Sequence, residues 1–290
     1  MKKITLIVLM LFTVLSYAQG IELNGTVSAE NNQIKNVADP TDAQDAATKA
    51  YIDALIAEAV AGLQSQIDDL ESDNDDGCPP FTVLVYGTQE WSGGNACNIT
   101  YRDGTPIPEV TDNAEWAALT TGAWAYYDND PTKPRLYNWY AVAGIHDNDP
   151  NTPNKELAPE GWHVPSDAEW TTLEEHLIAN GYNYDSTTTG NKIAKSIASQ
   201  TGWISSTGTG AIGNDQSLNN SSGFNAFPEG YRFYTGPCAS EGSDATFWSS
   251  TEFINENNIV FGRNLGTNYS DLNNGGFYKH GGFSVRFVRD

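Results

Sequence analysis

Basic residues are scarce in this sequence. Its 290 residues hold 15 Lys and Arg against 37 Asp and Glu, a formal net charge of −22. Phosphate backbones and anionic lipids are bound through Lys and Arg, so this balance excludes nucleic acid and anionic membrane surfaces as partners. Histidine is rarer, with His146, His163, His176 and His280 making four. None stands two to five residues from another His or from a Cys, so the local spacing of a zinc site is missing. A G-x-S-x-G nucleophile elbow is also missing. Cysteine is limited to Cys78, Cys97 and Cys238. An odd number leaves at least one thiol free or paired between chains. Cys97–Cys238 and Cys78–Cys97 both remain open as intrachain pairs. The second would close a loop of about 20 residues, worth about 3 kcal/mol in the chain-entropy picture.

Long apolar runs are limited to Ile4–Val14. At about eleven residues it falls short of the roughly 20 needed to cross a bilayer. Lys2 and Lys3 precede it, and Ser16-Tyr17-Ala18 follows. This is the three-part layout of a secretory signal peptide over residues 1–18. No Cys follows the run, so a lipid anchor has no attachment point there. Losing Lys2 and Lys3 takes the charge from −22 to −24. Export places the protein outside the cell or on its surface, where disulfides are permitted. No transmembrane segment is expected.

Aromatic residues are missing from 19–77, with Tyr51 as the exception, whereas all eight Trp lie beyond residue 78. A segment so poor in aromatics cannot build its own core and needs partners. Ile56, Val60, Leu63, Ile67 and Leu70 are spaced four, three, four and three. That spacing makes a coiled-coil seam of about two heptads, too short for an isolated helix to be stable. Thr41 with Gln44 reads as a capping box that opens the helical stretch. Self-association would bury the seam, and the alternation of residue types suits a dimer. One amphipathic helix packed on the remainder is the alternative. Residues 19–77 are thus expected to form a helical stalk that ends in the acidic linker Ser72–Gly77. The glycine and the closing glutamate are not at EF-hand spacing, so the run reads as a solvated linker rather than a calcium loop.

Ile34-Lys35-Asn36-Val37-Ala38-Asp39-Pro40-Thr41-Asp42-Ala43, continuing through Gln44-Asp45-Ala46-Ala47-Thr48-Lys49-Ala50-Tyr51-Ile52-Asp53, resembles the repeat of phage tail-fibre and related trimeric stalks. The resemblance implies a homotrimer, and its single occurrence does not imply a long fibre.

Residues 78–290 alternate short apolar stretches with Gly, Asn, Ser, Asp and Pro. Phe81–Tyr86 reads as a strand, as does Phe283–Val288, where apolar Phe283, Val285 and Phe287 alternate with Ser284, Arg286 and Val288. Ser166 and Glu169 form a capping box, and Trp170, Leu173 and Leu177 make one buried stripe that stops at Asn180-Gly181. Shorter helices are expected at Asn191–Ala198 and near Ala114–Leu119, with loops elsewhere. Few helices, short strands and many loops indicate an α+β class.

Four blocks then carry a resemblance. They are Leu136-Tyr137-Asn138-Trp139-Tyr140-Ala141-Val142, the run from Leu157 to Trp170 containing Gly161-Trp162-His163-Val164-Pro165-Ser166, Phe247-Trp248-Ser249-Ser250-Thr251-Glu252, and Ser284–Asp290. Together with Gly87–Trp91 and Ser222–Ala226 they resemble the Fibrobacter succinogenes major paralogous domain over about residues 82–290. Trp91–Ile99 and the acidic insertion at 146–155 depart from the family pattern. The resemblance implies a C-type-lectin-like head related to formylglycine-generating enzymes, in a family of exported or surface proteins. Those enzymes hold copper with a cysteine pair. Cys238 stands alone in its region, so that activity does not carry over.

Gly208–Gly213 matches G-x-G-x-x-G, but Ser205–Thr207 and Asn214–Ser217 around it are not a strand and a helix, so no dinucleotide site is expected. Glu-Pro-Asn, Gln-Pro-Asp and Trp-Asn-Asp, the usual calcium–sugar motifs, are absent. Asp128 with Asp130 and Asp147 with Asp149 could hold calcium through oxygen ligands, or could be plain turns. No other cofactor is expected. Tyr126, Tyr127, Tyr231 and Tyr234 are the exposed aromatics that could stack on a ligand. The expected function is non-enzymatic: an exported binding or adhesion protein presenting a lectin-like head, for a glycan or a surface protein, on an oligomeric stalk. A structural envelope or matrix protein is the second class. An unrecognised hydrolase is the third, since paired acids need not be neighbours in sequence.

Overall fold

The computed structural model describes residues 49–72, 78 and 81–290. Helix α1, Lys49–Ser72, contains every position of the heptad seam. Ile56, Val60 and Leu63 are exposed, at 56, 58 and 60 %. The side chains of Ile67 and Leu70, the signal peptide 1–18, the Thr41–Gln44 box and the acidic run 73–77 lie outside the described residues. No helix among the described residues is long and apolar enough to cross a membrane.

From residue 81 the chain mixes short helices with small antiparallel sheets, as the α+β expectation has it. Strands β1 (Val83–Tyr86) and β2 (Gln89–Ser92) form a hairpin. They are completed by β5 (Trp162–His163) and β11 (Val288–Arg289) in the order β1-β2-β11-β5. Strands β3 (Trp124–Tyr126) and β4 (Arg135–Tyr137) make a second pair, and β6 (Tyr231–Arg232) and β7 (Cys238–Ala239) a third. The longest strands form a three-stranded meander of β8 (Asp244–Glu252), β9 (Ile259–Gly266) and β10 (Asn273–Tyr278). Residues 244–278 differ from the loop expected there. Gly and Asn weaken strand propensity, and Asn273-Asn274-Gly275-Gly276 hides the third strand of the meander.

Helix α4, Asp167–Ala179, forms where the capping box predicts it. The Ser166 hydroxyl accepts from the Glu169 amide, and the Glu169 carboxylate accepts from the Ser166 amide at 2.8 Å. Trp170, Leu173 and Leu177 are buried along its inner face. The other two helices are shorter than expected. Helix α2 is Asn113–Ala117, capped by the Asp112 carboxylate. Helix α3, Trp139–Val142, starts at the Asn138 cap, and α5 is only Ala194–Ile197. Asn191 stays outside α5 because its side chain is bound elsewhere. Its Nδ2 donates to the Leu272 carbonyl and its Oδ1 accepts from the Leu272 amide.

All eight Trp are buried. Seven of their indole N–H groups reach an acceptor, including Trp248 Nε1 to the Tyr137 carbonyl and Trp139 Nε1 to the Ser249 carbonyl. An unmatched N–H in the core would cost about 1–3 kcal/mol, so these bonds are a condition of burying so much indole.

The expected strand at Phe283–Val288 needs correction. Only Val288–Arg289 is strand, and every side chain from Phe283 to Val288 is buried. The segment is covered on both sides, with bridges from Phe283 to Tyr137 and from Ser284 to Phe247. Alternation therefore does not mark a solvent face here. The buried Arg286 guanidinium is matched by Asn95 Oδ1 at 2.6 Å and the carbonyls of Ser92 and Phe224. Burial pushes its pKa down to about 10.

Candidate functional site

The meander and the β6–β7 hairpin enclose a groove of about 330 Å³. Register builds its polar floor. Thr246 on β8 faces Asn264 on β9, which faces Asn273 on β10. Paired residues share one sheet face, so the three side chains form a row across the strands. Asn264 Nδ2 donates to Thr246 Oγ1 at 2.9 Å and to Asp244 Oδ1 at 3.4 Å.

The next row along the same face is nearly bare. Trp248 pairs with Gly262, and Gly262 with Gly275. A Cβ at Gly262 would lie 2.9 Å from the Phe277 ring. The two glycines leave the space in which that ring lies against the sheet. Phe277 in turn meets Phe283 edge-on at 5.0 Å, and Phe283 packs on Trp248 at 4.1 Å.

The rim is aromatic and open. Tyr234 and Tyr278 are 44 % and 48 % exposed, with ring centroids 4.4 Å apart. Phe233 is also exposed and meets Tyr231 edge-on at 5.0 Å. The loop carrying Phe233 and Tyr234 is fixed by Arg232 beneath it. Arg232 donates to the carbonyls of Gly236, Val110 and Thr111, and lies 4.3 Å over the Trp116 ring. Its cation is consumed by the fold, and burial lowers its pKa. Gly236 has φ +112 and a Cβ there would lie 2.4 Å from Asn113, so the turn requires glycine.

Of the four tyrosines picked from sequence, Tyr231 and Tyr234 line this groove. The other two lie elsewhere. Tyr126 is half-buried, edge-on to Trp124 at 5.1 Å, and its hydroxyl accepts from Arg135. Tyr127 was expected to be exposed and is not, at 6 %. Its ring packs where Gly230 has no Cβ, and burial raises its pKa. The sequence reading missed Asp244, Thr246, Asn264, Asn273, Phe277 and Tyr278. Only cross-strand register brings them together.

The paired aspartates act as turn residues. Asp130 Oδ1 accepts from the Thr132 amide and hydroxyl, and Asp149 Oδ1 from the Asn151 amide. Those bonds lower both pKa values. Asp128 is an exposed residue at φ 52, and Asp147 accepts from the Asp149 amide. Among the described residues no three His, Cys, Asp or Glu group so as to hold a metal ion. Gly208–Gly213 lies outside any strand or helix. It is pinned by the Gly213 amide donating to the Thr267 carbonyl.

Of the two cysteine pairings left open, Cys78–Cys97 is the one formed, with Cα atoms 5.5 Å apart. Cys238 is free and half-buried, and its sulfur accepts from the Asp128 amide at 3.2 Å.

A family model described as the Fibrobacter succinogenes major domain matches residues 84–289. The match runs from β1 to β11 and so takes in the groove. No curated protein and no solved structure matches the chain.

Proposed function

Because this chain belongs to the Fibrobacter succinogenes major domain family, we propose that it is an exported, non-enzymatic binding protein of the cell surface or extracellular space. Its head is C-type-lectin-like and meets its ligand at the aromatic-rimmed groove. Its helical stalk gathers the heads into a homo-oligomer, a trimer on the tail-fibre likeness.

The observation that carries this reading is the groove itself. Large aromatic side chains stay in solvent around a polar floor, while all eight Trp are packed away. Exposed, clustered aromatic surface of this kind marks interaction sites. The groove is lined by one carboxylate, Asp244. Glycoside hydrolysis ordinarily uses two, flanking the scissile bond. The exposed Ile56, Val60 and Leu63 support the stalk, because association would remove that apolar stripe from water. Joining heads raises apparent affinity by roughly 10²–10⁴ without new contacts.

Binding of fluorescent 19–290 chain to intact cells and their extracellular matrix tests the proposal. Light scattering on the same sample gives the oligomer mass. Retention should drop in the Tyr234→Ala/Tyr278→Ala double variant, and also in an Ile56→Asn/Val60→Asn variant that scatters as a monomer. A monomeric wild-type chain would remove the stalk. Equal retention of the tyrosine variant would remove the groove.

A further inference from the structure

Resting on the reading of the groove as a binding site, we propose that it holds a short uncharged saccharide without a metal ion. The Tyr234–Tyr278 pair lies under the C–H face of one ring, and Asn264, Asn273 and Asp244, at the other end of strand β10, engage the hydroxyls of a neighbouring ring.

Charge narrows the ligand first. The chain carries −22, and the ionised group free to act at the groove is Asp244. Arg232 lines the groove, but its nitrogens are spent on three carbonyls and on Asn113 Oδ1. Lys279, on the neighbouring turn, is buried over Trp139 and paired with Glu252 at 2.7 Å. Carboxylate, sulfate and phosphate ligands therefore find repulsion and no counter-charge.

Hydrogen-bond inventory narrows it again. Asn264 lines the groove and spends its donors on Thr246 and Asp244, so its side-chain oxygen is the part left to accept. Asn273 is exposed, and its side chain makes no hydrogen bond among the described residues. The floor thus offers donors and acceptors side by side. An ammonium or guanidinium ligand only donates and would leave the Asn273 Nδ2 donors unmatched. A hydroxyl donates and accepts, and adjacent hydroxyls on one ring match an amide edge. The remaining surface is aromatic, and the axial C–H groups of a pyranose present an apolar face to it. The volume of about 330 Å³ sits at the small end of ligand sites, suited to a short saccharide.

Calorimetric titration of the full 19–290 chain tests this. The probes are hexasaccharides of β-1,4-glucose, β-1,4-xylose, β-1,4-N-acetylglucosamine and α-1,6-mannose. A sialylated oligosaccharide and a Lys-rich peptide serve as charged probes, and every titration is repeated in EDTA. At least one neutral saccharide should bind equally well with and without EDTA, and the charged probes should not bind. Asn273→Ala should weaken the interaction about 5–10-fold, the scale of one hydrogen bond, and Tyr234→Ala at least as much. Both side chains are exposed, so unchanged melting temperatures should show that the variants fold. A blank neutral panel, loss of binding in EDTA, or a saccharide indifferent to both variants overturns the assignment. If the panel is blank while groove-dependent retention on cells persists, the ligand class is wrong and the binding role stands. If both fail, the groove is not a binding site.

Discussion

Phe247 and Trp248 are consecutive in the chain and belong to different hydrophobic clusters. Phe247 packs with Trp170 and Phe224, and Trp248 with Phe283 and Phe277. Strand β8 therefore acts as the partition of the head, with one indole forming the wall behind the groove. Trp248→Ala should cost about 3–5 kcal/mol, as for other fully buried Trp truncations. Trp248→Phe should cost less, removing the indole donor while the Tyr137 carbonyl keeps the Phe283 amide. Urea midpoints with unchanged slopes would check both values.

Arg263 has no exposed side-chain surface and is held by Asp167 at 2.6 Å and Glu174 at 2.5 Å. This joins β9 to helix α4. Arg263→Met should destabilise the head by about 2–3 kcal/mol, because it removes a buried cation from two half-buried carboxylates. The deficit should shrink in acid. Burial already raises the Glu174 pKa against the pull of Arg263, and losing the cation raises it further. A raised carboxyl disfavours folding at high pH and is relieved as pH falls through its folded value. Chemical denaturation of the variant at pH 7.5 and pH 5 would reveal the difference. An equal deficit at both pH values would contradict it.

His163 bridges two carboxylates, Glu169 at 2.7 Å and Asp290 at 2.7 Å. Burial lowers its pKa, but the hydrogen bonds to Asp290 and Glu169 outweigh that and the net shift is upward. Its contribution is therefore full below the unfolded value of about 6.5 and fades as pH rises through the folded value. Glu169 shifts the other way. Burial raises it, but bonds from Ser166 and His163 lower it overall. Its contribution is present above about pH 4.5 and fades in acid. The pair thus supports the fold most between about pH 4.5 and 6.5. His163→Gln should lower the melting temperature more at pH 5.5 than at pH 8.5. Parallel melting curves for wild type and variant across that range would refute the coupling.

The disulfide and the lone thiol should separate chemically. Reducing Cys78–Cys97 opens a loop with a sequence separation of 19 and should cost about 3 kcal/mol. Cys238 should react slowly at neutral pH, because burial pushes its thiol pKa upward, and faster as pH rises. A thiol-reagent time course on native, unreduced protein should approach one equivalent per chain.

Much of helix α4 was readable from sequence, because its signals are local. Ser166, Glu169 and the Asn180-Gly181 stop sit within a single stretch of chain, and the structure uses each of them. The groove was half readable. Tyr231 and Tyr234 stood out as aromatics in a polar context, whereas Asn264 and Asn273 look like ordinary loop residues until strands β9 and β10 are set side by side. Their partner glycines weaken the strand signal because the Phe277 ring needs the space. At Phe283–Val288 the failure had the opposite cause. The alternating pattern was real, but packing on both sides buried its polar members, Arg286 against Ser92, Asn95 and Phe224 and Ser284 against the Glu229 carboxylate.

Strand β11 enters the first sheet between β2 and β5. The hairpin at residues 83–92 therefore waits for a neighbour nearly two hundred residues downstream, since Val288 pairs with Trp91. During synthesis the emerging polypeptide can form helix α4 early, but it cannot close its central sheet until that late segment is free of the ribosome. Truncation anywhere before Val288 therefore leaves β2 and β5 without the strand that joins them.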